Sequence, residues 1–334
     1  METSPRLSAA QAGDESAFAE LTLPFQRELH IHCYRMLGSL DDADDALQET
    51  LLRAWRSLDR FEPLAPFRAW LYRIATNVCL TMLERRVRRG EVPLTAEKEG
   101  EPMHLDPYPD RLLDELTSPA EDPQNVAVQQ EGVELAFVAA AQVLPPRQRA
   151  TLLLREVIGY SAAEVAPMLE TSVAGVNSAL QRARATLEQE RAAGRVTRTH
   201  AGAEAETEQL LISRLVDAWQ AADVPSIVAL LTKDALLTMP PQPYRYAGAT
   251  AIGEFFADLP RGGQLDRFRL VPVRANRQPA LAAYYRQDDG RYQAHSLFVL
   301  AIEGEAIASI VRFGGPPLFP RFGLPMVLDT YELQ

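Results

Sequence analysis

Ser161-Ala162-Ala163-Glu164-Val165-Ala166-Pro167-Met168-Leu169-Glu170-Thr171-Ser172-Val173-Ala174-Gly175-Val176-Asn177-Ser178-Ala179-Leu180-Gln181-Arg182 is the stretch that decides how this chain is read. Ser161 with Glu164 three residues on is a capping box, which opens a helix. Leu169 to Ser172 makes a turn, and Ser172 caps the next helix, read as Val173–Gln189. With a preceding helix over about 146–157, this is a helix-turn-helix. Asn177, Ser178, Gln181 and Arg182 share one face of the last helix, at the spacing of helical neighbours. Asn and Gln can bond adenine bidentately and Arg can bond guanine, so this face suits a DNA major groove. Arg147, Arg149 and Arg184 are expected at phosphate, which positions without specifying. The alternative is an ordinary helical hairpin with a solvated arginine face. Two residues depart from the motif. Glu170 stands where a turn glycine is often found. Pro167 falls inside the second helix, where the lost bond and ring clash cost ~3 kcal/mol and predict a kink or an early end.

Charge is distributed in the same sense. The 334 residues carry a net charge of −11. Nearly all of it sits in residues 91–135, of which 91–125 are acidic and proline-rich and show no periodicity, while 126–193 return to a helical pattern. Residues 67–90 hold six arginines and one glutamate, and residues 136–200 are also net basic. Local basic patches inside an acidic average are compatible with nucleic-acid binding.

Upstream, Asp41 to Asp45 opens a helix with carboxylates at its N-terminus. Leu47, Leu51, Ala54, Trp55 and Leu58 continue it at helical spacing. Phe61-Glu62-Pro63-Leu64-Ala65-Pro66 breaks the pattern. A second helix, Phe67–Arg89, has Phe67, Trp70, Leu71, Ile74, Ala75 and Val78 on one stripe and ends at Gly90. Residues 91–125 read as an extended acidic linker and 194–206 as a second polar linker. From 207 the pattern is α+β. Helices fit 207–221, 224–232 and Ala249–Leu259. Strands fit Ala235–Met239, Leu265–Arg274, Leu281–Arg286, Tyr292–Ile302 and Ala306–Phe313.

Several chemistries are excluded or weak. No apolar run approaches the ~20 residues of a membrane helix, and the N-terminus does not resemble a signal peptide. Cys33 and Cys79 read as reduced thiols in a cytoplasmic protein. His30, His32 and Cys33 lack the second ligand pair of a zinc site, so no metal is expected. Phosphate-cradling glycine loops and hydrolase motifs are absent, and no cofactor is expected.

Three stretches together resemble a known family. Asp42-Ala43-Asp44-Asp45-Ala46-Leu47-Gln48-Glu49-Thr50-Leu51-Leu52-Arg53-Ala54-Trp55 resembles region 2 of bacterial RNA polymerase sigma factors. Phe67-Arg68-Ala69-Trp70-Leu71-Tyr72-Arg73-Ile74-Ala75-Thr76-Asn77 resembles its promoter-melting part. Leu144-Pro145-Pro146-Arg147-Gln148-Arg149 through Arg184 resembles region 4. Their order is that of an extracytoplasmic-function (ECF) sigma factor. The resemblance implies a non-enzymatic initiation factor that recruits polymerase core and opens promoter DNA. It implies that Asp45, Gln48, Glu49 and Arg53 meet the β′ clamp coiled coil, a solvated helix face being the alternative for each. It further implies that Phe61, Tyr72, Arg73, Asn77, Arg85 and Arg86 hold the −10 strand, and that region 4 reads the −35 element and touches the β flap.

Residues 207–334 resemble the SnoaL-like family, a cone of sheet and helices around a cavity. The residues that carry this are Leu230 to Ala235, Ala282 to Arg286 and His295 to Leu300. Some SnoaL-like proteins are cyclases or isomerases. That resemblance allows an acid–base pair of His295 and Asp234, with Tyr284 or Tyr285 lining the cone, although no catalysis is expected. Pro316–Pro325, with Leu318, Phe319, Phe322 and Leu324, is either a contact strip or a cap on the cone. The architecture expected is region 2 over 1–90, region 4 over 126–193 and a SnoaL-like domain over 207–334. That domain is expected to tune the sigma factor, and its cone leaves room for a small ligand of unknown identity. The competing readings are a one-component helix-turn-helix regulator with a ligand-sensing cone, and a SnoaL-like enzyme.

Overall fold

A computed structural model describes residues 5–62, 66–89, 105–114, 133–192, 204–242, 244–258 and 264–328. The 91–125 linker outside 105–114, most of the 194–206 linker, residues 63–65 and Gly90 lie outside the described residues. The chain divides into two compact units. One comprises residues 1–99 and 114–196, the other 100–113 and 197–334.

The first unit is helical. It contains α1 (Pro5–Gln11), α2 (Glu15–Leu37), α3 (Leu40–Ser57) and α4 (Phe67–Arg88). The turn between α2 and α3 has a local cause. Gly38 takes φ 77°, ending α2, and Ser39 immediately caps α3 by accepting from Asp42 N. A left-handed residue there strongly favours glycine. The same unit holds α6 (Leu135–Gln142), α7 (Pro146–Leu152), a π turn over Leu153–Val157, α8 (Ala162–Met168) and α9 (Val173–Ala192); α5 (Asp110–Asp114) precedes them in the chain. Ala140, Leu144, Leu152, Leu180, Ala183 and Leu187 form one buried cluster that fixes α9 against α6 and α7.

The second unit is a mixed sheet with helices α10 (Ala205–Gln220), α11 (Val224–Ala229), α12 (Ala249–Asp258) and α13 (Leu318–Arg321). Its strands are β1 (Leu231–Thr238), β2 (Arg245–Ala247), β3 (Phe268–Ala275), β4 (Gln278–Arg286), β5 (Tyr292–Glu303), β6 (Ala306–Gly314) and β7 (Val327–Leu328). Their order is β2-β1-β6-β5-β4-β3, with β7 paired to β5 and only β1–β6 parallel. The inner face buries Leu237, Phe268, Leu281, Tyr285, Phe298, Leu300 and Ile310 around Trp219 and Phe256. The strand expected from Ala235 starts at Leu231, because α11 ends at Ala229.

Part of the acidic stretch belongs to this second unit. Tyr108 is fully buried, its N–H donates to Asn276 Oδ1 and its carbonyl accepts from Asn276 N, both at 2.8 Å. Asp110 accepts from Arg277 N at 2.8 Å and from Arg274 Nε at 3.3 Å. Arg274 also pairs with Glu208, and Arg111 Nε donates to Arg321 O at 2.8 Å. Asn276 and Arg277 both have positive φ, which turns their N–H groups toward the strap. An extended solvated linker is therefore not what residues 105–113 form. Tyr108 and Leu113 give this polar stretch apolar anchors.

Candidate nucleic-acid interface

The capping box opens α8 as the sequence suggests. Glu164 N donates to Ser161 Oγ and Ser161 N donates to Glu164 Oε2. The helix stops at Met168, directly after Pro167. Glu170 takes φ 52°, so the position that often holds glycine is left-handed here too. Ser172 Oγ then accepts from Gly175 N at 3.0 Å and caps α9. On α9, Asn177, Gln181, Arg182 and Arg184 are exposed and Ser178 is half-buried, while Val176, Leu180 and Ala183 face the core. Arg182 donates to Ser178 Oγ at 2.6 Å, and Arg184 Nε to Glu156 at 2.6 Å. Arg147 is exposed and donates to Leu169 O at 3.2 Å, across the turn. Val173, at the first position of α9, is 46% exposed. Sequence reasoning passed it over because a helix-start valine reads as core.

Arg149 does not fit the role expected of it. It is only 5% exposed. Its guanidinium donates to the carbonyls of Met36, Gln142 and Leu144 and to Gln142 Oε1. Gln142 in turn donates to Arg35 O at 3.0 Å. Arg149 thus ties α7 to the end of α2 and cannot reach phosphate in this arrangement. Burial, with Arg86 nearby, lowers its pKa to about 10, so it still carries its charge at neutral pH.

The promoter-melting candidates divide in two. Arg73 and Arg85 are exposed and Asn77 is half-buried. Arg86 is half-buried and pairs with Asp42, a tie between α4 and the start of α3. The two aromatic candidates are covered. Phe61 is 7% exposed and packs with Phe67 and Trp70. Tyr72 is 1% exposed between His32 and Tyr160. Neither ring is free to stack on a base as the structure stands. Buried tyrosines need a polar partner, and Glu28 supplies it, accepting from Tyr72 Oη at 3.3 Å and from Arg68 through paired bonds. Nearby, His32 Nε2 bonds Thr76 Oγ1 at 2.9 Å, and His30 meets Asp44 at 3.0 Å. Burial, with Arg35 and Arg68 near, lowers the His32 pKa to about 3.

On α3, Asp41, Asp45, Gln48, Leu52 and Arg56 are exposed and recur every three or four residues, forming one stripe. Leu52 is 50% exposed in its middle. Glu49 and Arg53 are half-buried and joined at 2.6 Å along the helix. Leu52 was missed because an apolar residue on an amphipathic helix reads as core.

Sigma-70 region 2 matches residues 22–89, Sigma-70 region 4 matches 134–187, and the SnoaL-like domain matches 212–310. The ECF RNA polymerase sigma factor SigG of Mycobacterium tuberculosis is 42% identical over 325 residues, 94% of this chain and 84% of SigG. The chain belongs to the ECF RNA polymerase sigma factors. SigW of Bacillus subtilis, another member, is 30% identical over 54% of this chain and 92% of its own length. Among solved structures, the M. tuberculosis ECF sigma factor SigJ aligns with a TM-score of 0.59 at 22% identity, covering 92% of this chain and 99% of that one. That likeness is one of fold. Sigma factors of this family are non-enzymatic transcription initiation factors that act with polymerase core and promoter DNA, and here a SnoaL-like domain is fused to one.

The cone of this sigma factor does not assemble the acid–base pair that sequence allowed. His295 lies inside, edge-on to Phe268 at 5.1 Å and near Tyr285. Asp234 is exposed on β1, and β6 lies between β1 and β5. Tyr285 faces the core, whereas Tyr284 faces the other side of the sheet, against Phe319 at 4.9 Å. Leu318, Phe319, Phe322 and Leu324 are all buried or half-buried, and Tyr284 Oη donates to Pro325 O at 3.0 Å. The proline-rich segment is therefore packed rather than an open apolar strip.

Proposed function

We infer that this sigma factor docks on the β′ clamp coiled coil of polymerase core through the exposed α3 stripe. Asp45 and Gln48 supply the polar contacts, Leu52 the apolar one, and the Glu49–Arg53 pair stiffens the stripe. Asn177, Gln181 and Arg182 read the −35 element as duplex, with Val173 placed for a thymine methyl. Arg147 and Arg184 take phosphate, and region 4 touches the β flap. Arg73, Asn77 and Arg85 hold the −10 strand, with Tyr72 recruited once it is uncovered. The working compartment is the cytoplasm. The observation that carries this reading is the exposed Asn177–Gln181–Arg182 face on a helix seated by its buried Val176–Leu180–Ala183 face. The test is run-off transcription with purified core on a cognate promoter, with Leu52→Asp in a core pull-down beside it. Loss of core binding is expected. Core binding by Leu52→Asp at wild-type strength would overturn the docking assignment.

The SnoaL-like domain acts as a regulator of initiation rather than an enzyme. The specific observation favouring this is the strap. Residues 105–113 lie in the chain between regions 2 and 4, yet Tyr108 and Asp110 bond to the β3–β4 turn of the cone. A domain that grips the connection between two promoter-reading regions governs how far they can separate. Deleting residues 207–334 and measuring transcription tests this, and transcription unchanged by the deletion would count against it.

A further inference from the structure

Arg312 lies on β6 two residues beyond Ile310, on the inner face of the cone, with Phe298 as its cross-strand partner. It is half-buried. Among the described residues no carboxylate pairs with it, and its guanidinium makes a weak contact, from Nη1 to Met239 Sδ at 4.0 Å. Burial alone lowers its pKa from the ordinary value, with no charged group offsetting the loss of water. A buried cation without a counter-ion is costly and is normally paired.

The surroundings are those of a binding site rather than a salt bridge. The guanidinium lies over Gly314, Nη1 being 3.9 Å from where a Cβ would stand. Gly314 is the register partner of Ser296 on β5. Ser296 is 1% exposed, and its Oγ lies 3.1 Å from His295 Nδ1. Cross-strand partners stand roughly 5 Å apart at Cβ, so cation, hydroxyl and imidazole converge on one patch of the inner face. Phe298, the strand partner of Arg312, packs on Trp219 at 5.3 Å. The Trp219 indole N–H is buried with no hydrogen-bond partner among the described residues. A half-buried cation without a counter-ion, flanked by a hydroxyl, an imidazole and the Phe298 ring, is a set of groups suited to an anion that carries a flat apolar body.

We propose that the cone binds a small aromatic carboxylate, with Arg312 as its counter-ion, Ser296 and His295 as polar neighbours, and Trp219 and Phe298 as its aromatic wall. The site is independent of how the sigma regions dock on polymerase or DNA. Arg312 matches a carboxylate fork geometrically, which a lysine ammonium does not.

The test is calorimetric titration of the full chain with benzoate, its neutral isostere benzamide, and inorganic phosphate. Benzoate is expected to bind roughly tenfold or more tightly than either comparison compound, since only it offers both the charge and the ring. Arg312→Met should lose benzoate binding by a similar factor while circular dichroism reports an unchanged fold, because methionine fills the same volume without a charge. Arg312→Lys keeps the charge without the fork and should bind at an intermediate strength. It also serves as the readout if the methionine variant does not fold. Benzoate binding unchanged in both variants, wild-type binding no tighter for benzoate than for benzamide or phosphate, or no benzoate binding at millimolar concentration would overturn the proposal.

Discussion

Tyr72 of region 2 meets Tyr160 of region 4 edge to face, with ring centroids 5.8 Å apart. Arg68 lies over both rings, 4.9 Å from the first and 5.8 Å from the second. The ring best placed in sequence to stack on an unpaired base is thus covered by the region that would read duplex upstream. An aromatic pair of this kind contributes about 0.5–1.5 kcal/mol beyond its burial. Tyr160→Ala is expected to uncover Tyr72 and strengthen binding of a single-stranded −10 oligonucleotide. Fluorescence anisotropy with the labelled strand measures this. Equal affinities for variant and wild type would mean that Tyr72 is a core residue and no part of the DNA site.

Arg149 and Arg182 should behave oppositely. Arg149→Ala leaves the carbonyls of Met36, Gln142 and Leu144 without their donor. Each buried acceptor left unmet costs about 1–3 kcal/mol, so a loss of roughly 3 kcal/mol or more in denaturant unfolding is expected. The salt dependence of DNA binding should not change. Arg182→Ala should leave stability nearly untouched, cost about 1–3 kcal/mol in promoter affinity and relax preference at one base pair. Arg147→Ala should weaken all sequences alike and flatten the salt slope. A salt slope flattened by Arg149→Ala, with no loss of stability, would reinstate it as a phosphate ligand.

Acidification should destabilise the first unit through His32. Its pKa is about 6.5 when unfolded and about 3 when folded. Below pH 6.5 the unfolded chain gains a proton that the native state refuses. Stability is therefore complete above pH 6.5 and falls toward pH 3, by about 1.4 kcal/mol per pH unit at most. Unfolding midpoints of wild type and His32→Asn at pH 7 and pH 5 isolate this contribution. The wild type should lose more than the variant by about 2 kcal/mol. Parallel losses would mean that other groups carry the acid sensitivity.

What was legible in the sequence was local. The Ser161–Glu164 box, the Ser172 cap and the end of α8 just after Pro167 depend on residues a few positions apart, and all three are in place. The strands β4 and β5 were legible from their local pattern too, although both are buried along most of their length rather than on alternate residues. The burial of Arg149 did not announce itself, because its partner Met36 lies 113 residues away. Nor did Tyr72 reveal that Tyr160 would cover it, for an aromatic at a helical polar position reads equally as a stacker or as core. Leu52 and Val173 were hidden by the reverse problem, apolar residues left exposed at positions the pattern assigns inward. The strap was illegible for a third reason. Its prolines and acids exclude periodic structure, and its order comes from the β3–β4 turn, 168 residues on, where Asn276 waits for Tyr108.

That turn offers the most direct test of regulation by the fused domain. Asp110 is 5% exposed and holds Arg277 N and Arg274. Its carboxylate is fixed in the strap, whereas both partners belong to the cone. Asp110→Ala therefore leaves the sigma regions and the cone chemically intact and cuts one of the ties between linker and cone. The buried Asp110 carboxylate is the strap's acceptor for both Arg277 N and Arg274, so its loss should loosen residues 105–113 on the cone. The expected readouts are faster amide hydrogen exchange at Tyr108 and Asn276 and a change in run-off transcription, with the affinity of the full chain for −35 duplex unchanged. Asn276→Ala removes the second tie from the cone side and should reproduce the effect. If both variants free the strap by hydrogen exchange and transcription stays at the wild-type level, the strap anchors the cone without governing initiation. The regulatory reading of the fused domain would then fail, even though the sigma assignment and the anion site inside the cone would stand.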